Sequence, residues 1–132
     1  MSLFKPAGFD SVISKSVTLT NANILVETET TLLIDGFVKF NNIGIDVGSE
    51  RAHKNGATLI VNGEVQPETC DSNITIHNIC VAGVIQCNML KVEGTLTIKA
   101  GAKVTANQIL YNQLVIERNA IINGTLIPLS KT

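Results

Sequence analysis

The sequence predicts an all-β fold in which the chain coils as a β-helix, a solenoid of stacked rungs. Three observations predict it: a short apolar–x–Gly–x–apolar unit recurs along the chain, Val, Ile and Thr are abundant, and residues 90–106 alternate between apolar and polar side chains. Internal repetition of a short unit is typical of proteins built from stacked structural repeats. With 132 residues, the chain fits one domain with its own core.

The recurring unit places apolar residues two positions before and two positions after a central residue, which is glycine in five of the six copies. From the second copy on, the central residues are 20, 11, 19 and 11 positions apart. Glycine inside a strand pattern often marks a tight bend. We therefore interpret the unit as a rung marker whose glycines bend the chain at corners. The copies are centred on Gly36, Gly63, Gly83, Gly94, Gln113 and Gly124.

The composition favours strands over helices. The chain contains 12 Val, 16 Ile and 13 Thr, and β-branched side chains suit the pleated surface of a sheet. Trp is absent and aromatic residues make up 4% of the chain, so aliphatic side chains of similar size must fill the core. The 13 Asn and 10 Gly supply residues that tolerate the backbone conformations of corners.

The alternation is clearest in residues 90–106, where every even position is apolar or glycine and no odd position carries an apolar side chain. This period predicts strands with one buried side and one solvent-facing side. Seventeen residues exceed the usual strand length, so we expect bends at Gly94 and at 100–101.

The same frame recurs 18 residues later, where Leu114 and Ile116 align with Leu96 and Ile98. An offset of 18 residues fits one rung of a triangular β-helix and predicts about five to six rungs. Asn88 and Asn107 precede equivalent apolar pairs, so their side chains are expected to stack as a hydrogen-bonded ladder.

Residues 44–58 interrupt the repeat with a polar, glycine-containing segment, which predicts one loop expelled from the stack. The β-helix domain is expected to span residues 11–127. A flexible lead-in over 1–10 and a short C-terminal tail over 128–132 complete the predicted organisation.

The charge pattern excludes several function classes. The net charge is −1, no basic stripe is present and the chain has one Tyr, so nucleic-acid binding is not supported. The longest apolar runs are about seven residues, whereas a membrane-spanning helix needs about 20. The sequence shows no signal peptide, and three irregularly spaced cysteines fit a reducing compartment. A cytoplasmic location is expected.

An enzymatic alternative rests on His53, which lies in the predicted loop. Left-handed β-helix acyltransferases are trimers that place a catalytic histidine on such a loop, but they show a six-residue repeat over many turns that this chain lacks. A general base also needs an orienting partner and a pocket. His77, Cys80 and Cys87 match no common zinc spacing. We therefore expect no catalytic, metal-binding or cofactor-binding residue and no small-molecule substrate, with the His53 enzyme as the alternative.

Three segments resemble those of a known family. Ser11-Val12-Ile13 precedes an alternating apolar stretch, residues 33–38 contain an Ile-x-Gly-x-Val step, and residues 114–124 close the repeat with an Ile-Glu pair before a last glycine. In this order, over residues 11–126, the chain resembles the bactofilins, which are bacterial polymer-forming cytoskeletal proteins. It departs from them at Asn119, where glycine is common, and at Ile122, where the last rung often carries Phe.

The resemblance implies a right-handed β-helix that polymerises end to end, without nucleotide, into filaments that lack polarity. Such filaments often lie at the inner face of the cytoplasmic membrane, where they position cell-wall enzymes or shape-determining partners. Each end of a β-helix is an open layer with unpaired backbone groups, so the ends are the expected assembly surface. The candidate assembly residues are Val17, Leu19, Ile122 and Leu126, and the candidate membrane-contact residues are Leu3, Phe4 and Phe9.

Overall fold

The fold is all-β, as predicted. A computed structural model describes residues 11–18, 23–26, 30–45 and 57–129, and these residues form strands and short connections without a helix. The strands pair in parallel throughout. In chain order they are β1 (Ser11–Ile13), β2 (Val17–Thr18), β3 (Asn23–Val26), β4 (Thr31–Ile34), β5 (Phe37–Phe40), β6 (Asn42–Ile45), β7 (Thr58–Val61), β8 (Glu64–Pro67), β9 (Asn73–Ile76), β10 (Asn78–Val81), β11 (Val84–Gln86), β12 (Met89–Ile98), β13 (Lys103–Ile116) and β14 (Ile121–Pro128).

The strands wind into a solenoid of about five turns with three flat faces. Face 1 contains β1, β4, β7, β10 and the ends of β12 and β13, at 95–98 and 113–116. Face 2 contains β2, β5, β8, β11 and the starts of β13 and β14. Face 3 contains β3, β6, β9, the start of β12, the middle of β13 and the end of β14. The β-helix prediction is confirmed, while its right-handed sense stays a prediction.

The strand register agrees with the 18-residue frame of the sequence. Leu96 pairs with Leu114 and Ile98 pairs with Ile116. The rung that contains the polar segment is longer, because Leu32 pairs with Leu59. The side-chain frame therefore stays constant on each face, and differences in length are absorbed at the corners, some of which lie within the long strands β12 and β13.

The core consists of columns of aliphatic side chains, one from each rung. On face 3, Ile43, Ile74, Leu90 and Ile109 follow one another in register, and each is at most 1% exposed. The chain neighbours of Ile74, Leu90 and Ile109 point outward, as the alternation predicts. Similar side chains repeated along an axis fill such a core at high density without large aromatic residues. Phe40 is the exception, a fully buried aromatic side chain near the N-terminal end.

The described glycines of the repeat lie at corners, as the sequence predicts, but they are distributed over different corners. Gly36, Gly63 and Gly83 stack at the corner between faces 1 and 2. Gly94 interrupts the register of β12 where the chain passes from face 3 to face 1, and Gly124 lies between faces 2 and 3. The need for a residue without a side chain therefore arises separately at each corner.

The predicted loop over 44–58 begins too early and ends too late. Gly44 pairs with Leu25 and with Thr75, so it belongs to β6, and Thr58 begins β7. The backbone of Gly44 forms the hydrogen bonds of a parallel ladder like that of any other residue. The presence of glycine at position 44 was therefore a poor indicator of a loop. Residues 46–56 lie outside the described residues. At the C-terminal end, β14 extends through Pro128, one residue beyond the predicted domain.

Candidate assembly surface

The last rung forms an open end of the solenoid. It consists of residues 113–116 on face 1, 121–123 on face 2 and 125–128 on face 3, and these pair with the preceding rung. Within the described ranges no strand pairs with their other side. In a parallel ladder, alternate residues direct their N–H and C=O groups to opposite neighbours. Half of the backbone groups of this rung therefore face the open end.

Within the described residues, no further rung covers the core columns at this end. Ile116 continues the column of Ile98, and Leu126 continues the column of Ile109. Ile98 and Ile109 are fully buried, whereas Ile116 is 46% exposed and Leu126 is 39% exposed. The half-buried Leu114 and Ile122 lie in the same layer. Since all four side chains are aliphatic, the C-terminal end presents an apolar layer.

A proline limits the backbone hydrogen bonds that the open end can form on face 3. Pro128 pairs with Tyr111, and the backbone N–H of Leu129 donates to the carbonyl oxygen of Tyr111 at 2.7 Å. The Pro128 nitrogen therefore faces the open end, where it has no proton to donate. A further strand could not form a regular ladder there. A second molecule would contact this end through its side chains rather than by extending the sheet on face 3.

The other end of the described solenoid is the layer of β1, β2 and β3. Val17 pairs with Val38 in the core column of face 2 and is half-buried. Ile13 and Ile24 are likewise half-buried against the core. Leu19 and the candidate membrane-contact residues lie outside the described residues; the latter are Leu3, Phe4 and Phe9.

Three of the four candidate assembly residues thus lie in the two terminal layers. Ile122 and Leu126 come together at the C-terminal end, and Val17 lies at the opposite end. Sequence reasoning missed Ile116, whose side chain is the most exposed among the core-facing aliphatic residues that the structure describes. The sequence identified Ile116 only as a core-facing residue, because it aligns with Ile98 in the repeated frame.

The corner between faces 2 and 3 is held by the predicted asparagine ladder. The amide nitrogen of Asn107 donates to Oδ1 of Asn88 at 2.8 Å, and the amide nitrogen of Asn88 donates to Oδ1 of Asn73 at 3.1 Å. The ladder borders a groove with a volume of about 550 Å³. Its lining is uncharged and combines amide, hydroxyl and thiol groups: Pro67, Thr69, Cys70, Gln86, Cys87, Asn88, Thr105, Ala106, Asn107, Asn123, Gly124 and Thr125.

The two cysteines of this groove should differ sharply in reactivity. Burial raises the pKa of the Cys87 thiol from 9.0 to about 12, whereas Cys70 is exposed. We expect a maleimide at pH 7.5 to modify Cys70 at least about tenfold faster than Cys87, because thiolate is the reactive form. Mass spectrometry of single-cysteine variants measures both rates. A raised thiol pKa also implies that the folded state loses stability as pH rises from 9.0 toward about 12.

The described residues contain no cluster of three or more His, Cys, Asp and Glu side chains that could hold a metal ion. His53, on which the enzymatic alternative depends, lies outside the described residues. The part of the chain that the structure describes contains no helix with the length and hydropathy needed to cross a membrane.

Fold and surface together define a β-solenoid with an open apolar end. No protein-family model, curated protein or solved structure matches the chain.

Proposed function

We propose that this chain is a structural subunit whose solenoids stack end to end into filaments without nucleotide. The filament would act as a cytoplasmic scaffold, associated with the inner membrane surface and with cell-wall or shape-determining proteins. The observation that carries the proposal is the uncovered core at the last rung, where Ile116 and Leu126 are 46% and 39% exposed.

Covering this layer would stabilise a contact between two solenoids. Apolar surface removed from water stabilises an interface by about 25 cal/mol per Å². A second solenoid offers a matching aliphatic layer, and its contact would also shield the unpaired backbone groups of the last rung. Monomeric solenoids normally protect such ends with a polar cap. In the last rung, the core-facing side chains that have to be covered are aliphatic: Leu114, Ile116, Ile122 and Leu126.

The resemblance to the bactofilins supports the same proposal and adds its cellular setting. In that family, filaments lack polarity, which fits a contact between two identical ends related by a twofold axis. An isologous contact of this kind needs a surface that is compatible with itself. A layer of uncharged aliphatic side chains meets this requirement, since no like charges face each other across the axis.

Replacing Ile116 with Glu tests the proposal. A carboxylate at the centre of an apolar contact loses its hydration, so we expect Ile116→Glu to abolish filaments or raise the assembly concentration at least about tenfold. Ile121→Glu is the matched control. Ile121 belongs to the same rung and is 49% exposed, but it points outward in register with Lys103. Negative-stain electron microscopy and sedimentation measure assembly of the wild type and both variants.

Wild-type protein that stays monomeric across salt and protein concentration would refute the filament proposal. Equal loss of assembly in Ile116→Glu and Ile121→Glu would refute the assignment of the contact to the core-facing layer. Circular dichroism of both variants establishes that the solenoid remains folded.

A further inference from the structure

The sequence contains three asparagine–glycine pairs, and two of them lie at described corners of the solenoid. Asn62-Gly63 lies at the corner between faces 1 and 2, and Asn123-Gly124 lies in the last rung, between faces 2 and 3. Asn55-Gly56 lies outside the described residues. Asparagine is chemically labile, and most so before glycine, which has no side chain to obstruct attack by its own backbone nitrogen. The two described pairs are therefore candidate sites of deamidation.

The inner pair is held by a rung on each side. The Gly63 N–H donates to the carbonyl oxygen of Ile34 at 3.0 Å, and a Cβ at Gly63 would lie 1.9 Å from the carbonyl oxygen of Gly36. On the other side, the carbonyl oxygen of Gly63 accepts a hydrogen bond from the N–H of Val84 at 2.9 Å. The backbone at Gly63 therefore cannot turn toward the Asn62 side chain without breaking contacts among three rungs.

The pair in the last rung is held on one side only. A Cβ at Gly124 would lie 2.0 Å from the carbonyl oxygen of Ala106, so the preceding rung is as close here as at the inner corner. Within the described residues, no rung covers the opposite side of Gly124. Asn123 and Gly124 are both exposed. This corner can therefore change its backbone conformation at a lower cost than an inner corner.

The surroundings also leave the Asn123 side chain free to rotate. Its amide nitrogen is 3.5 Å from Oγ1 of Thr105, which is at the outer limit of hydrogen-bond distances. Asn123 and Gly124 both line the groove of about 550 Å³ at this corner. Water reaches the pair through this groove. Since the groove has no charged side chain in its lining, hydroxide from solvent is the base that the reaction would use.

Deamidation at this pair needs water as its only co-reactant. The Gly124 backbone nitrogen gives its proton to hydroxide and forms a bond to Cγ of Asn123. The bond between Cγ and Nδ2 breaks, and ammonia leaves with a proton from water, which regenerates hydroxide. Water then opens the succinimide ring. Cleavage of the new bond between Cγ and the Gly124 nitrogen gives aspartate, whereas cleavage of the original peptide bond gives isoaspartate, in which the main chain passes through Cγ.

Both products would weaken the proposed end-to-end contact. Aspartate adds a negative charge at the rim of the apolar layer, and a contact between two identical ends brings two such charges together. Isoaspartate adds one main-chain atom just before residues 125–128, which pair in register with residues 108–111. The added atom would shift Leu126 away from its position in the column of Ile109.

We propose that Asn123 is a site of spontaneous deamidation that limits the time during which an unassembled subunit can still join a filament. The inference rests on the proposed function and adds a chemical regulation of the same contact. In a filament, a second solenoid lies against the uncovered side of Gly124, so this corner is held on both sides, like that of Gly63. Assembly therefore protects Asn123, and free subunits are the ones that become modified.

The selectivity of the reaction is measured on free subunits, with wild-type protein below the concentration at which filaments form. Samples are incubated at two pH values one unit apart and digested with pepsin at acidic pH, where deamidation is slow. Peptide mass spectrometry then quantifies the modified fraction at Asn123 and at Asn62. We expect a rate at least about tenfold higher at Asn123 than at Asn62. The rate at Asn123 should rise about tenfold with one pH unit, because hydroxide is the base.

Protection by assembly is measured at a protein concentration that gives filaments. Wild-type filaments are compared with Ile116→Glu, which is expected to stay unassembled at the same concentration. We expect deamidation of Asn123 to be at least about tenfold slower in the filaments. Asn62 serves as the internal control, since its corner has a rung on each side in both samples, and its rate should be the same.

Asn123→Gln is the matched variant for the effect on assembly. Glutamine deamidates much more slowly because its ring closure is less favourable, and this column carries Thr105 and Gln86 in the preceding rungs, so the fold accepts either side chain. Wild type and variant are aged as free subunits and then concentrated. We expect sedimentation to show that aged wild type loses assembly in proportion to its modified fraction, whereas aged Asn123→Gln assembles like fresh protein.

The outcomes separate this inference from the proposed function. Equal rates at Asn123 and Asn62, equal rates in filaments and free subunits, or full assembly of protein modified at Asn123 would overturn the inference and leave filament formation intact. Absence of wild-type filaments would overturn the proposed function and, with it, the protective role of assembly. The selectivity for Asn123 would still be decided, because it is measured on free subunits.

Discussion

Gly63→Ala is expected to unfold the protein or to destabilise it by about 3 kcal/mol or more, because the stacked corner has no room for a methyl group. A Cβ at Gly63 would lie 1.9 Å from the carbonyl oxygen of Gly36. That oxygen accepts a hydrogen bond from the N–H of Glu64 at 2.9 Å. Relief of the clash would therefore separate two rungs and break part of their ladder. Urea denaturation followed by circular dichroism measures the loss.

Gly101→Ala is the matched control for this prediction. Gly101 has a φ of +80°, but a Cβ there would meet nothing within 4 Å. The substitution therefore costs the strain of a left-handed backbone without a steric clash, about 1 kcal/mol. If Gly101→Ala proved as damaging as Gly63→Ala, the explanation by rung spacing would be wrong.

Phe40→Ala should have the second largest effect on stability. Phe40 is fully buried and its strand pairs in register with β8. Loss of a buried phenyl ring removes its transfer free energy and leaves a cavity, which costs about 3–5 kcal/mol in typical cores. Domains of ordinary stability unfold with about 5–15 kcal/mol, so a large part of the total is lost. Chemical denaturation of the variant provides the measurement.

Phe37→Ala isolates the contribution of burial in this comparison. Phe37 begins the same strand as Phe40 but is half-buried and in register with Glu64. We expect a smaller loss for Phe37→Ala, about 1–2 kcal/mol, since part of its ring stays in contact with water. Similar losses for Phe37→Ala and Phe40→Ala would contradict the placement of Phe40 in the core.

The core of the fold was predictable from the sequence because its signal is local. Alternation from Leu90 to Ala106 identified the inward side chains, and the 18-residue offset identified their partners in the next rung. The structure pairs Leu96 with Leu114 as expected. The asparagine ladder was predictable for the same reason, since Asn88 and Asn107 occupy equivalent positions in the frame.

The corners were less predictable because glycine occurs in this chain for different structural reasons. Gly63 is needed because a backbone oxygen approaches it, whereas Gly44 lies within a strand and merely lacks a side chain. Asn119 occupies a position where the bactofilins commonly have glycine, and it adopts a φ of 68°. Asparagine tolerates this left-handed region better than most residues. Spacing alone does not distinguish these cases.

The candidate site was predicted only in part, since the exposure of a terminal layer depends on whether another rung covers it. Ile116 has the same sequence environment as Ile98, and no local pattern distinguishes the last layer from an inner one. The exposed fractions, 46% against 0%, arise because no described rung covers Ile116.

The length of strand β13 suggests which end of the solenoid folds first. Its 14 residues pass across all three faces without a break, while the strands near the N-terminus contain four residues or fewer. Repeat proteins begin to fold where neighbouring units are locally most stable and extend from there. The ribosome releases the N-terminal rungs first. The C-terminal rungs are therefore expected to fold first. The N-terminal rungs, although synthesised earlier, would then fold onto them as a template.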